Sequence, residues 1–371
     1  MQLYPNCTVN VIEADSDYTK LYAELAAGSG VPDVVQTQNV DFPAFLNKYP
    51  NAWADISDIM APQANNFVPY VLPMVSKDGK YYAVPWDLGP CALFYRKDLF
   101  QQAGIDPTTL TTWDKYIAAG QQLLSSSDGK VYMLGFQYNQ GGGPSNMILN
   151  ELGGTLYDSS GKVQLNTPQA LQAIGIIQKM ISTGIAENLP SDWNDRITGI
   201  ENNTIATVPT AVWYSGTLEQ SVTDQSGEWG IVPLPAVTEG GNNEANAGGS
   251  VLAISSASQD MDLAKAFVQF SLMTNQGNAI NLQVGGLFSS YQPSYSDPSY
   301  SAVDSYFGVS LGQYFAALSP NIPQMDYGPY YTDVYNAQNT AWGEIFINNE
   351  DPATALTDAT TAAQKAIDAE S

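Results

Sequence analysis

A tryptophan followed directly by an aspartate, Trp86-Asp87 in the stretch VPWDLGPCALFYRKDLFQQAGID (residues 84–106), is the pair with the most specific chemistry in this chain. A flat apolar ring beside a carboxylate suits a neutral, hydroxyl-rich ligand, because the ring covers C–H faces while the carboxylate accepts from hydroxyls. The competing reading of Asp87 is a turn cap bonded to its own backbone. Trp213, in AVWYSG, ends a β-branched run just before a helix and offers a second ring, with Tyr214 beside it as a substitute; a core tryptophan is the alternative. Gln38 and Asn39 follow the run PDVVQT, at a strand carboxyl end of the kind that opens toward a crevice in α/β proteins. Asp41 reads as the cap of the next helix. Tyr138 and Gln140, in GFQYNQGGG, sit on a loop whose glycines lack the GxxxxGK[ST] spacing and the lysine of a phosphate cradle, so the loop reads as a flexible wall. Gly249 and Ser250 stand where a small residue lets backbone approach a ligand or makes a tight turn. Trp53, Trp113, Trp193, Trp229 and Trp342 fall at helix or strand positions that read as packing.

What the chain lacks is as informative. It has no histidine, which removes the Ser-His-Asp triad, the Cys-His dyad, HExxH zinc chemistry and imidazole proton transfer together. Its two cysteines, Cys7 and Cys91, form no CxxC and no disulfide framework, and their pairing is left open. Catalysis would rest on carboxylates, Tyr, Lys or Cys; no cofactor or metal is expected. Asp plus Glu total 37 against 13 Lys plus Arg, a formal charge of −24, with the basic residues scattered, so binding to a nucleic-acid backbone is excluded. No run of about 18 apolar residues occurs, and the first residues lack the charged-then-apolar pattern of a signal peptide.

These residues need elements to hold them. The 371 residues exceed the size at which one core stops growing, so two lobes are expected. CTVNVI (residues 7–12) alternates as a strand, and Asp15 or Ser16 caps a helix on Tyr18, Leu21, Tyr22 and Leu25 that Gly28 ends. PDVVQT is a strand, followed by a helix over 42–47 and a turn at Lys77-Asp78-Gly79-Lys80. The Trp86-Asp87 pair is placed just before a strand that crosses from one lobe to the other. Thr112 caps a helix to Leu124, MLGF is a strand, residues 144–152 form a helix stopped by Gly153-Gly154, and Thr167-Pro168 begin a helix to about Ile181. TIATVPTAVW returns as a strand, GGSVLAI makes a second crossing, and the chain is mostly helical from about Asp304.

The ordered blocks AELAAGSGVPDVVQ, YAVPWDLGPCALFYRKDLFQQAGID, AVWYSGTLEQ, GEWGIVPLPA, GGSVLAISSASQDMDLAKAFVQF and IPQMDYGPYYTDVYNA resemble carbohydrate-specific extracellular solute-binding proteins of ABC importers, related to maltose-binding protein, over nearly the whole chain. The resemblance implies an α/β, two-lobed periplasmic-binding-protein-like fold (type II) with a central cleft and a strand hinge. Lobe 1 would take residues 1–92 and 253–303, and lobe 2 residues 93–252 and 304–371. It implies a mono- or oligosaccharide ligand, membrane permease subunits as partners, a monomer, and an extracytoplasmic location as a periplasmic protein or cell-surface lipoprotein. It places a stacking ring at Trp213 and further rings near Tyr327 and Tyr330 of MDYGPYY. Family members usually carry a strand and a helix before the equivalent of LYPNCTVNV, so a unit of about 35 residues is expected to be missing, and the export signal with it. Two enzyme readings compete on the same scaffold: a thiaminase-like protein with Cys91 as nucleophile, and a glycosidase with paired carboxylates that include Asp87.

Overall fold

The computed structural model describes residues 7–13, 18–140, 143–158, 160–324 and 327–370. Ten strands occur among them: β1 (Val34–Gln38), β2 (Ser76–Lys77), β3 (Lys80–Tyr81), β4 (Ala83–Arg96), β5 (Leu134–Phe136), β6 (Ala186–Asn188), β7 (Thr207–Ala211), β8 (Trp229–Val232), β9 (Asn246–Ile254) and β10 (Phe288–Ser289). The β2–β3 turn places Asp78 and Gly79 at φ 52° and 74°, the pair of positive angles a two-residue hairpin with native twist requires.

β4 organises the molecule. Its first half pairs with β9, which in turn pairs with β1, while Asp87 and Leu88 also face β10. Its second half, from Cys91 to Arg96, pairs instead with β7 and β8. One fourteen-residue strand therefore serves two sheet halves. Nearly every position on it is buried, as expected of a strand covered on both faces.

Alternation divides the first half's residues between two cores. Val84, Leu252 and Ile254 point to one face with Ile56, Met60, Phe67, Ala264, Val268 and Leu272. Ala83, Val251 and Ala253 point to the other with Phe42, Phe45, Leu46 and Trp53, so helices cover both faces. The second half of β4 lies in the largest core, which also takes the helices Trp113–Ser126, Pro168–Ser182 and Tyr331–Phe346. Phe315, on the helix Leu311–Leu318, meets Phe94 of the second half at 6.3 Å and Phe288 of β10 at 6.4 Å. The last helix, Pro352–Glu370, packs on Tyr331–Phe346 and on Pro168–Ser182.

Local signals account for most boundaries. Thr112 Oγ1 accepts from the Lys115 N–H at 3.3 Å, and Thr167 Oγ1 from the Ala170 N–H at 3.1 Å, satisfying first-turn donors. Gly28 closes the helix Thr19–Ala27 in the left-handed conformation. Two expectations need correction. Residues 7–13 form no strand: they pair with no sheet, and Val9, Val11 and Ile12 are exposed, so the alternation has no buried face to serve. Trp86 and Asp87 lie inside the crossing strand rather than before it, because β4 starts at Ala83. The proposed caps Asp15 and Ser16 lie outside the described residues.

Candidate functional site at the strand crossing

β4 and β9 run past each other where the two sheet halves join, and their register shifts between Pro85 and Leu88 and again between Leu88 and Pro90. Gly248 and Gly249 of β9 take φ 80° and 105°, the kind of local kink that re-aims a strand. The chains approach closely: a Cβ on Gly249 would fall 2.7 Å from both the Asn39 Nδ2 and the Asp87 carbonyl oxygen. β9 spans residues 252 and 253, and its pairing with β1 begins at Ser250.

Four of the expected polar residues meet here. The Ser250 hydroxyl donates to the Asp87 carboxylate, which is 5% exposed and pushed up to about 6 by burial. Asn39, also buried, donates from Nδ2 to the Gly248 carbonyl at 3.2 Å, and its Oδ1 has no protein partner. Gln38 is exposed; its backbone lies opposite Ser250 in the β1–β9 register, and its N–H is bound to the Tyr18 hydroxyl at 2.8 Å. Asp41 holds the N-terminal position of the helix Phe42–Lys48 without a side-chain capping bond, and burial raises its carboxyl to about 6. It thus stands at the cap position that the sequence suggests but makes no capping bond with its side chain.

Asn246 is the hub that sequence reasoning missed. Its Oδ1 accepts from the Gly89 N–H at 2.9 Å and from the Tyr70 hydroxyl at 2.8 Å, while Nδ2 donates to the Gly248 carbonyl at 2.9 Å. Its own N–H donates to Asn150 Oδ1 at 2.9 Å. Tyr327 also bonds to Asn246 and is buried, its hydroxyl pushed up to about 12 by desolvation. An asparagine in a strand carries no local signal of such a role.

The aromatic residues gather on the other side of the crossing. β5 and β6 are parallel, and the parallel bridge Tyr132↔Ile205 extends that order toward β7. Their carboxyl ends carry Tyr138, the loop to Trp193, and Trp213, as the rule for ligand crevices in α/β sheets expects. Trp213 is half-buried, its indole N–H donating to the Ala247 carbonyl at 2.9 Å, which fixes the ring against β9. Trp193 stacks on it with centroids 6.2 Å apart and planes 18° apart, and Tyr214 stands edge-on to both rings at 5.8 and 5.9 Å. Trp193, at a position that suggests packing, is 46% exposed.

The other expected residues are less central. Trp86 is half-buried and packs against the core of Ile56, Met60 and Phe67, with its indole nitrogen lacking a protein partner. The Tyr138 hydroxyl donates to the Ala186 carbonyl at 2.8 Å, so its ring is held as structure. Gln140 is exposed on the following turn. Tyr214 is buried, beneath the two indoles. Tyr330 precedes the helix Tyr331–Phe346 and packs against the largest core. Two hollows lie away from the crossing, one of about 410 Å³ around the Arg96–Asp98 and Arg96–Glu228 ion pairs and one of about 350 Å³ by Leu25, Tyr49 and Ser255. The first is filled with self-satisfied charge and suits no neutral ligand.

Neither enzyme reading finds support in this geometry. Cys91 is buried with its thiol pushed up by desolvation, and its Sγ lies 3.3 Å from the Gly89 carbonyl oxygen, the reverse of what a nucleophile needs. Cys7 and Cys91 are both free thiols. The Asp87 carboxylate is engaged by Ser250. Among the described residues no group of three or more potential ligands could hold a metal, and no helix is long and apolar enough to cross a membrane.

Two sheet halves sharing β4, with polar groups at the join, define a two-lobed type II periplasmic-binding-protein fold. Solved structures share it: an ABC transporter associated binding protein from B. animalis subsp. lactis Bl-04 in complex with beta-1,6-galactobiose (TM-score 0.79, 24% identity, 96% of this chain and 89% of that one), and the GacH receptor of Streptomyces glaucescens GLA.O (TM-score 0.82, 18% identity, 98% and 91%). The chain belongs to the bacterial extracellular solute-binding protein family, whose pattern it matches over residues 1–274. Among curated relatives, the arabinooligosaccharide-binding protein of Bacillus subtilis (strain 168) is 30% identical over 264 residues, covering 70% of this chain and 60% of the relative. A lactose-binding protein of Rhizobium radiobacter is 27% identical over 353 residues, covering 90% and 80%. The chain spans about 60% of the length of the arabinooligosaccharide-binding proteins it matches. The names of these relatives are those of binding proteins, not of enzymes.

Proposed function

We propose that this protein is an extracytoplasmic receptor that closes on a mono- or oligosaccharide and delivers it to the permease subunits of an ABC importer. The carrying observation is the crossing itself: β4 serves both sheet halves, β9 runs beside its first half up to the join, and Asn39, Asp87, Ser250 and Trp213 cluster there. Lobes divided as residues 1–92 with 253–303 and 93–252 with 304–371 then bend about these strands. A ligand that binds the closed form better than the open one shifts the population and signals occupancy.

The pairing of acceptors with flat rings suits a pyranose, which offers hydroxyls at its rim and C–H groups on its faces. Gln38, Asn39, Asp41, Asp87 and Ser250 are the hydroxyl partners in this reading, Trp213 and Tyr214 the ring side, with Trp86, Tyr138, Gln140, Gly249, Tyr327 and Tyr330 lining or supporting the cleft. The names of the relatives favour arabino-oligosaccharides and lactose-type disaccharides. Monomeric action and attachment as a cell-surface lipoprotein complete the reading. Calorimetry against a panel of such sugars tests it: saturable binding without product release supports it, and no binding to any sugar, or turnover of one, overturns it.

A further inference from the structure

Trp193 is the most exposed of the tryptophans, at 46%, whereas Trp53, Trp113, Trp229 and Trp342 are all buried. Leaving a large indole in water forgoes the burial that ordinarily stabilises it, so a fixed, exposed ring calls for a reason. This ring is fixed. Its loop is tied to the neighbouring one by the Tyr138 N–H donating to Asn188 Oδ1 at 3.1 Å and the Gln137 N–H donating to Asp192 Oδ1 at 3.4 Å. Arg196 bonds to Asp192 and lies over the Tyr214 ring at 6.0 Å, and Tyr214 meets Trp193 edge-on.

We infer that Trp193 and Trp213 form a two-step aromatic platform that takes two successive sugar rings, making Trp193 the residue that selects oligosaccharides over monosaccharides. The planes are 18° apart with centroids 6.2 Å apart, wider than direct face-to-face stacking, so the two indoles are offset and neither fully covers the other. Trp213 is held at the crossing by its bond to Ala247, while Trp193 lies farther out at the carboxyl end of β6. A single ring reaches the inner face; a second ring linked to it reaches the outer one. The Tyr214 ring beneath both and the hydrogen-bonded loops keep the step rigid, which lowers the entropy lost on binding.

The inference rests on the proposed sugar-binding function, and the test separates the two. Calorimetry compares galactose with lactose, and arabinose with arabinobiose, on wild type, Trp193→Ala, Trp193→Phe and Trp213→Ala. For whichever pair binds, Trp193→Ala should weaken the disaccharide about tenfold and leave the monosaccharide within about twofold, Trp193→Phe should recover part of the loss, and Trp213→Ala should weaken both. Because Trp193 is exposed, the thermal midpoint of Trp193→Ala should match wild type. Equal losses for both sugars, or tighter binding after Trp193→Ala as if the indole merely covered Trp213, overturn the platform while leaving sugar binding intact. A wild type that binds neither pair nor any longer oligomer removes the sugar-binding reading and the platform with it.

Discussion

The Ser250 hydroxyl donates to the Asp87 carboxylate across β9 and β4, so the strand that passes between the sheet halves is joined to its neighbour by a buried acid and no cation. With no positive partner, desolvation dominates and the carboxyl is pushed up to about 6. The acid at the crossing therefore gives up its proton less readily than an exposed carboxyl, and a ligand hydroxyl donating to it would favour the ionised form.

Stability should rise as the solution is made mildly acidic. Asp87 and Asp41 titrate near 6, and Glu151, desolvated between Trp113 and Val237, near 7, all above their unfolded values. Between the unfolded and folded values the native state holds more protons, so stability falls as pH climbs through that window and the loss is complete above it. The thermal midpoint should thus increase from pH 7.5 toward pH 5. Below about 4 the trend reverses, because Asp55, held near 2 by Lys80 and Ser57, loses its partners on protonation. Asp87→Asn should flatten the pH 5 to 7 slope; a shift of two units corresponds to roughly 3 kcal/mol between protonation states. A slope unchanged in Asp87→Asn would exclude this carboxyl as a source.

Asn246→Ala should destabilise the protein more than its modest size suggests. The change leaves the Gly89 N–H and the Tyr70 hydroxyl without their acceptor, at roughly 1–3 kcal/mol for each buried orphan. Denaturant unfolding measures the loss. A stability within 0.5 kcal/mol or so of wild type would mean that water replaces the side chain and that Asn246 is no hub.

Much of this architecture was legible because its causes are local. β-branched runs gave β1, β7 and β9; Thr112 and Thr167 gave helix starts; Gly28 gave a helix end. The hub was not, since Tyr70, Gly89 and Asn150 reach Asn246 across 176, 157 and 96 positions and leave no periodic trace. Asp41 does occupy the cap position its place in the sequence marks, but only the tertiary surroundings decide whether its carboxylate makes the capping bond, and it makes none. Trp193 looked like packing because sequence shows residue type and not exposure. The strand expected at residues 7–12 followed a true alternation with no sheet edge beside it.

Gly249→Ala should impair both folding and ligand capture. At φ 105° a side chain is strained by about 1–3 kcal/mol, and its Cβ would press on the Asn39 amide and the Asp87 carbonyl at 2.7 Å. A lowered thermal midpoint together with weaker sugar binding is expected. Wild-type values of both would show that the kink is not needed.

Cys91 should resist thiol reagents in the native protein and react only on unfolding, since it is 1% exposed and its thiol is pushed up by burial. Cys7, only partly buried, should react first. Mass spectrometry after native alkylation distinguishes them. Rapid native modification of Cys91, or thiamine cleavage that disappears in Cys91→Ala, would revive the nucleophile reading.

Trp213 separates stacking from hydrogen bonding. Trp213→Ala removes the ring and should weaken sugar binding at least about tenfold. Trp213→Phe keeps an aromatic face but loses the indole bond to the Ala247 carbonyl, leaving the ring free to rotate away from β9. If the face alone matters, Phe restores most of the affinity. If the anchored orientation matters, Phe falls near Ala, and the Ala247 carbonyl beside Gly248 takes on the role of fixing the ring at the crossing. Calorimetric affinity unchanged in Trp213→Ala would refute the assignment of this ring to the ligand.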